Sequence, residues 1–142
     1  MDIIKELEKD HKEVEKIFKE LNKTTEEDTE ARKAIFGKLK STILLHSKIE
    51  DDVLYDRINN KEIKGHSKEE HKKIEDKINE VEQISMFSEN WKNKLQELHE
   101  IVKHHINEEE TETFKEVKRE FNSEQLNQFG EEFVSKKEEV AS

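Results

Sequence analysis

Apolar residues recur along this chain at steps of three and four, and four such stripes can be followed in turn. The first runs Ile4, Leu7, His11, Val14, Phe18 and Leu21, widened by Ile3 and Ile17, and predicts a helix over about residues 2–22. The polar segment 23–29, KTTEEDT, is rich in capping residues and predicts a loop. The second stripe, Leu39, Ile43, His46, Glu50 and Val53, predicts a helix over about 30–59, followed by a turn that uses Gly65. A third helix is expected from Ser67, because Ser67-Lys-Glu-Glu70 fits a capping box; its face is His71, Ile74, Ile78 and Val81. After a loop at 85–88, Trp91, Leu95, Leu98, Val102, His105 and Glu109 mark a fourth helix over about 89–121. Its apolar face then drifts to Phe114, Val117 and Phe121. Asn122-Ser123 reads as a break before a short fifth helix over about 123–139, with Leu126, Phe129, Phe133 and Val134 on its apolar side.

Long amphipathic helices joined by short connections predict an all-α fold, an antiparallel up-down-up-down four-helix bundle over about 2–121. The short C-terminal fifth helix would close one end. A single domain over 1–142 is expected, without a linker.

Composition tests this picture. Only 30% of the 142 residues are hydrophobic and 44% are charged, values at which a disordered chain has to be considered. The regular stripes argue against disorder, and no proline and only three glycines interrupt them. The absence of cysteine removes disulfides, thiolate metal sites and cysteine nucleophiles. A net charge of −10 disfavours nucleic acid and anionic membranes as partners. No apolar run reaches the length of a signal peptide core or a membrane span, so a soluble, cytoplasmic protein is expected.

The chemistry lies inside the stripes. At about 100° per residue, His46 and Glu50 fall in the middle of an apolar face, while Lys48, Asp51 and Asp52 point away. His11, His71, His105 and Glu109 occupy the same kind of position on the other helices. At about 1.5 Å rise per residue, all six reach one level of an antiparallel bundle. A lone core histidine is ordinarily satisfied by a hydrogen bond. Six such groups would make a poor apolar core, because each needs a partner in low dielectric. A metal site removes the objection. Imidazole with carboxylate suits iron, manganese or zinc, and six ligands overfill one tetrahedral zinc. They divide between two ions, two histidines each, with both carboxylates bridging. His66 and His104 are assigned to solvent, His99 to the surface or the surroundings of the site, and Glu75 to the edge of its stripe.

Four segments carry a family likeness. LEKDHKEVEKIFKEL, HSKIEDDVLYDRI, EEHKKIEDKI and VKHHINEEETETF resemble the four helix motifs of the hemerythrin-like, HHE cation-binding family, and NSEQLNQFGEEF resembles the tail of many bacterial members. The resemblance implies a non-haem centre of two iron ions, bridged by an oxo or hydroxo group and two carboxylates. Glu50 and Glu109 would bridge, and His11, His46, His71 and His105 would be terminal ligands. Oxygen-carrying members have HxxxH on the third helix and HxxxxD on the fourth; here His71 is followed by Glu75, and the fourth helix has HxxxE. The pattern is closer to iron-sulfur cluster repair proteins and iron-sensing domains, although this chain lacks the cysteine-bearing segment usual in the repair proteins. O2, nitric oxide or peroxide is the implied small ligand. Three function classes stay open: a di-iron protein that binds or senses such molecules, a peroxide- or nitric oxide-reactive or iron-donating repair protein, and a helical interaction module without metal. Whether the chain is an enzyme is not decided by its sequence.

Overall fold

The computed structural model describes residues 1–141; Ser142, the last residue of the expected domain, lies outside them. Helices α1 (Ile3–Asn22), α2 (Thr29–Val53), α3 (Lys61–Glu82) and α4 (Glu89–Glu108) form the bundle. A π-helical turn, Glu109–Thr113, joins α4 to α5 (Phe114–Glu120) in one continuous rod, and α6 (Ser123–Ala141) completes the chain. No strand occurs among the described residues.

The starts of the helices follow from side-chain oxygens that accept otherwise unpaired backbone N–H groups. Asp2 accepts from Ile4, Asn60 from Ile63 and Ser88 from Asn90. Cross-helix pairs then fix direction. Between α3 and α4, Lys77 meets Glu97, Glu70 meets His105 and His66 meets Glu108, so residue numbers fall on one helix as they rise on the other. Lys40–Glu82 and His71–Asp51 give the same sense for α2 and α3, and Lys38–Glu13 and His46–Asp10 for α1 and α2. The bundle is therefore antiparallel throughout.

The apolar core is split in two. One part holds Phe18, Leu21, Phe36, Leu39, Trp91 and Leu95 with their neighbours, toward the loops after α1 and α3. There the fully buried Arg32 donates to Thr24 and to the Met86 carbonyl and lies over the Trp91 ring, tying those two loops together. The other part holds Ile3, Leu7, Ile49, Val53, Tyr55, Phe114 and Val117, and α6 adds Leu126, Phe129 and Phe133 to it. The C-terminal helix thus covers that end, as its apolar side predicts. Its Gly130 allows the close approach to the N-terminus: a Cβ there would lie 1.9 Å from the Met1 carbonyl oxygen. Among the described residues, no helix is long and apolar enough to cross a membrane.

Three boundaries differ from the sequence reading. Helix α2 stops at Val53, not near 59, and a 3-10 turn over Tyr55–Arg57 follows. Helix α3 begins at Lys61, because Asn60 supplies the cap. Ser67 and Glu70 are consequently buried inside the helix and form no capping box, and Gly65 is helical, not a turn. The rod from α4 to α5 carries the π turn that no periodicity announced.

Candidate metal centre

Between the two apolar clusters the bundle brings together all six polar stripe residues. Glu50 and Glu109 are 0% and 1% exposed, and His11, His46, His71 and His105 are buried around them. Two groups of potential ligand atoms result: His11, His46, Glu50 and Glu109, and Glu50, His71, His105 and Glu109, with the atoms of each group within 4.8 Å of one another. Both glutamates belong to both groups. Within the second group, the Nε2 atoms of His71 and His105 stand 3.2 Å apart.

Each imidazole is held from behind by a carboxylate of the preceding helix in the ring. Nδ1–H of His46 donates to Asp10 at 2.7 Å, that of His71 to Asp51 at 3.0 Å, that of His105 to Glu70 at 2.8 Å and that of His11 to Glu110 at 2.6 Å. An ionised carboxylate only accepts, so the proton sits on Nδ1 and Nε2 is turned toward the centre. The carboxylates come from α1, α2, α3 and the π turn, and each serves the next helix round the bundle. Every one is the sequence neighbour of a central residue: Asp10 of His11, Asp51 of Glu50, Glu70 of His71, Glu110 of Glu109. The expectation that Asp51 points away from the site is thus corrected. Such outer carboxylates orient a metal-binding histidine and raise its basicity. Asp10→Asn is expected to lower metal affinity about 10- to 100-fold, measured by competition with a chromogenic chelator. Unchanged affinity would show that Asp10 does not act through His46.

The inward side is short of hydrogen-bond partners. Nε2 of His11 and of His46, both oxygens of Glu50 and Oε1 of Glu109 are buried without one. Nε2 of His11 approaches Oε1 of Glu109 to 3.0 Å, close but not aligned as a hydrogen bond. Outside this spot, among the described residues, only the side-chain atoms Glu15 Oε1 and Trp91 Nε1 are buried without such a partner; five orphaned atoms gathered on one buried spot are the signature of a site that fits a cation. Tyr55 supports the same layer. The early stop of α2 turns its ring inward, whereas a continued helix would carry it about 200° away from Val53. Its hydroxyl donates to Glu109, and burial together with the charges of Glu109 and Glu50 holds it well above the usual phenol range, so it stays a donor.

Without metal the electrostatics are divided. Burial and the neighbouring charge of Glu109 push Glu50 well above the usual carboxylate range. Burial acts against the charge on Glu109 too, but His11 and His105 outweigh it and hold this group well below that range. For His11 burial is again opposed, by Glu109 and Glu50, and the imidazolium persists up to about 9. Burial lowers His46. The sign for metal binding follows. His11 at pH 7 tends to hold a proton on an atom a cation needs, and the upward push on Glu50 acts in the same sense. Binding must expel such protons, so affinity falls as pH falls, by about tenfold per pH unit for each proton released. Calorimetric titration in buffers of different ionisation enthalpy at pH 7 is expected to show about one proton or more released. Binding without proton release would contradict this electrostatic division.

The π turn explains how consecutive glutamates reach one histidine. The Phe114 N–H bonds back to the Glu109 carbonyl, five residues away, and the Thr111 hydroxyl donates to Asn107 O. The wider turn lets Glu109 face the centre while Glu110 passes behind His11. Other candidates stay outside. His99 is buried, not on the surface, but its Nε2 pairs with Glu15 at 2.8 Å and its ring stacks on Phe18, away from the six. Glu75 is exposed. His66 and His104 are on the surface, as expected.

Comparison with known proteins agrees with this geometry. A DNA nickase of Nostoc sp. is 26% identical over 134 residues, covering 92% of this chain. The chain spans 38% of that protein's length. No solved structure matches. The family model for the hemerythrin HHE cation binding domain matches residues 2–117, a span that contains every residue of the buried cluster. On that match, and with a buried His/Glu cluster fit to hold metal, the chain belongs to the hemerythrin HHE cation binding domain family.

Proposed function

We propose that the cluster holds two iron ions, with Glu50 and Glu109 bridging and His11, His46, His71 and His105 as terminal ligands, and that the protein binds or senses O2 or a related small molecule there. The observation that carries this reading is the sharing of both glutamates by two four-atom groups, which divides the histidines two and two. Charge supports cations here: two central carboxylates, backed by the four behind the imidazoles, gather negative charge around one buried layer. When bound, an oxo- or hydroxo-bridged iron pair supplies redox change and an open position for a diatomic ligand.

The chain's own residues set the rest. The carboxylate ring fixes the four imidazoles, and Tyr55 fixes Glu109. Leu7, Val14, Ile49, Ile74, Leu98 and Val102 wall the layer and keep bulk water from it. A surface groove of about 430 Å³ between α1 and α4 reaches His11 and Glu110, which gives a small molecule a way in. The nicking activity in the relative's name is not carried over, because most of that protein lies outside the match and a net charge of −10 repels a polyanion.

The test exposes the anaerobically reduced iron protein in turn to O2, nitric oxide and peroxide while its absorption spectrum is followed. Binding or sensing gives a stoichiometric spectral change that then stops. Continued consumption of peroxide or nitric oxide would favour the turnover alternative. No change with any of the three, at full iron content, would overturn both.

A further inference from the structure

The HxxxE spacing that builds the buried cluster is repeated on the outside of the bundle. His66 and Glu70 stand one turn apart on α3, and His104 and Glu108 one turn apart on α4, directly opposite. In the run His104-His105 and Glu108-Glu109, the second member of each pair faces inward and the first faces α3. Nε2 of His66 lies 2.7 Å from Oε1 of Glu108 and 3.4 Å from Oε2 of Glu70. Nε2 of His104 lies 3.1 Å from Oε2 of Glu108 and 3.8 Å from the same Glu70 oxygen. Ligand atoms at about 2.1 Å from a tetrahedral ion are about 3.4 Å apart; one atom each of His66, Glu70 and Glu108 lie within 4.8 Å of one another, and His104, beside both carboxylates, is within reach as a fourth. Two imidazoles and two carboxylates suit a borderline first-row divalent ion.

We propose that His66, Glu70, His104 and Glu108 form a surface site for one divalent cation of the Fe2+/Zn2+ class. Glu70 makes it more than a surface coincidence. Its Oε1 accepts from Nδ1 of His105 in the buried cluster, and its Oε2 is the atom turned to the two surface histidines. One carboxylate thus links the outer site to the inner one. The histidines are half-exposed or more, with side-chain exposures of 49% and 71%, so the outer ion exchanges with solvent. The adjoining cleft of about 540 Å³ carries Glu97 and Glu100 as well as Lys73 and stays acidic on balance, which draws cations to it.

The experiment loads the buried cluster, desalts the protein and titrates it with Co2+, followed by visible absorption and equilibrium dialysis. One further Co2+ per chain is expected, with the visible bands of low-coordinate cobalt. The double variant His66→Ala/His104→Ala is expected to lose that ion and keep the tightly held metal, and Glu108→Gln, whose side chain pairs with the two surface histidines, is expected to do the same. No Co2+ beyond the tightly held metal, or equal uptake by both variants, would overturn the proposal. The difference of one ion between wild type and variants is read whatever metal the buried cluster holds, so this outcome is separate from that of the di-iron reading.

Discussion

Glu50→Ala or Glu109→Ala is expected to lose at least one tightly held ion, together with the absorption of a bridged pair. Each carboxylate is shared by both groups of ligand atoms, so removing one takes a ligand from two ions at once. It also removes a negative charge from between two cations in a buried layer, where their repulsion is weakly screened. Glu109→Ala leaves the Tyr55 hydroxyl without its acceptor as well, which adds about 1–3 kcal/mol for an unmet buried donor. The two variants need not be equal, since Glu109 faces His11 and His105 while Glu50 faces His46 and His71. Metal analysis and the near-ultraviolet spectrum read the outcome. Retention of both ions and of the spectrum in either variant would remove that residue from the site.

Chelation is expected to destabilise the protein strongly and locally. Five orphaned atoms, three of them on two close carboxylates, share one buried layer. Without cations these groups must protonate, take up water or spread the helices apart. Metal that binds only the native state stabilises it by about 2.7 kcal/mol per ion at a hundredfold excess over Kd. For two ions in a domain of this size, the melting temperature should fall by about 10 °C or more on metal removal. Amide exchange should quicken most around His46 on α2 and His105 on α4. Trp91 and the Arg32 clasp should keep their protection, since they lie at the loop end of their apolar cluster, away from the polar layer. Equal melting temperatures after confirmed removal of metal would mean that the six side chains satisfy one another, and the core would have to be read as purely structural.

What the sequence discloses depends on how far helical phase alone determines the structure. His11, His46, Glu50, His71, His105 and Glu109 are legible because a period of 3.6 residues puts them on apolar faces, and the structure brings all six to one layer. Helix ends are not set by phase. Ser67 and Glu70 fit a capping box, but Asn60 caps the helix seven residues earlier, and burial gives Glu70 a different partner in His105. Tyr55 was hidden by the same kind of error, since its inward turn depends on where α2 stops. The carboxylates behind the histidines were hidden by abundance: acidic residues are everywhere in a chain with 36 of them. Their signal was adjacency. A residue next to an inward ligand points about 100° around the helix, toward the neighbouring helix, and Asp10, Asp51, Glu70 and Glu110 all hold that position. Lys137 of α6, which pairs with Asp10, had no local signal, because only the packing of the last helix brings it there.

The metal content of protein purified under iron-replete conditions, with the ultraviolet-visible spectrum taken before and after exposure to O2, bears on the di-iron assignment most directly. Six buried ligands divided between two sites predict about two irons per chain and the near-ultraviolet absorption of an oxo-bridged diferric pair after oxidation. A replete sample holding one zinc per chain and no iron would contradict it.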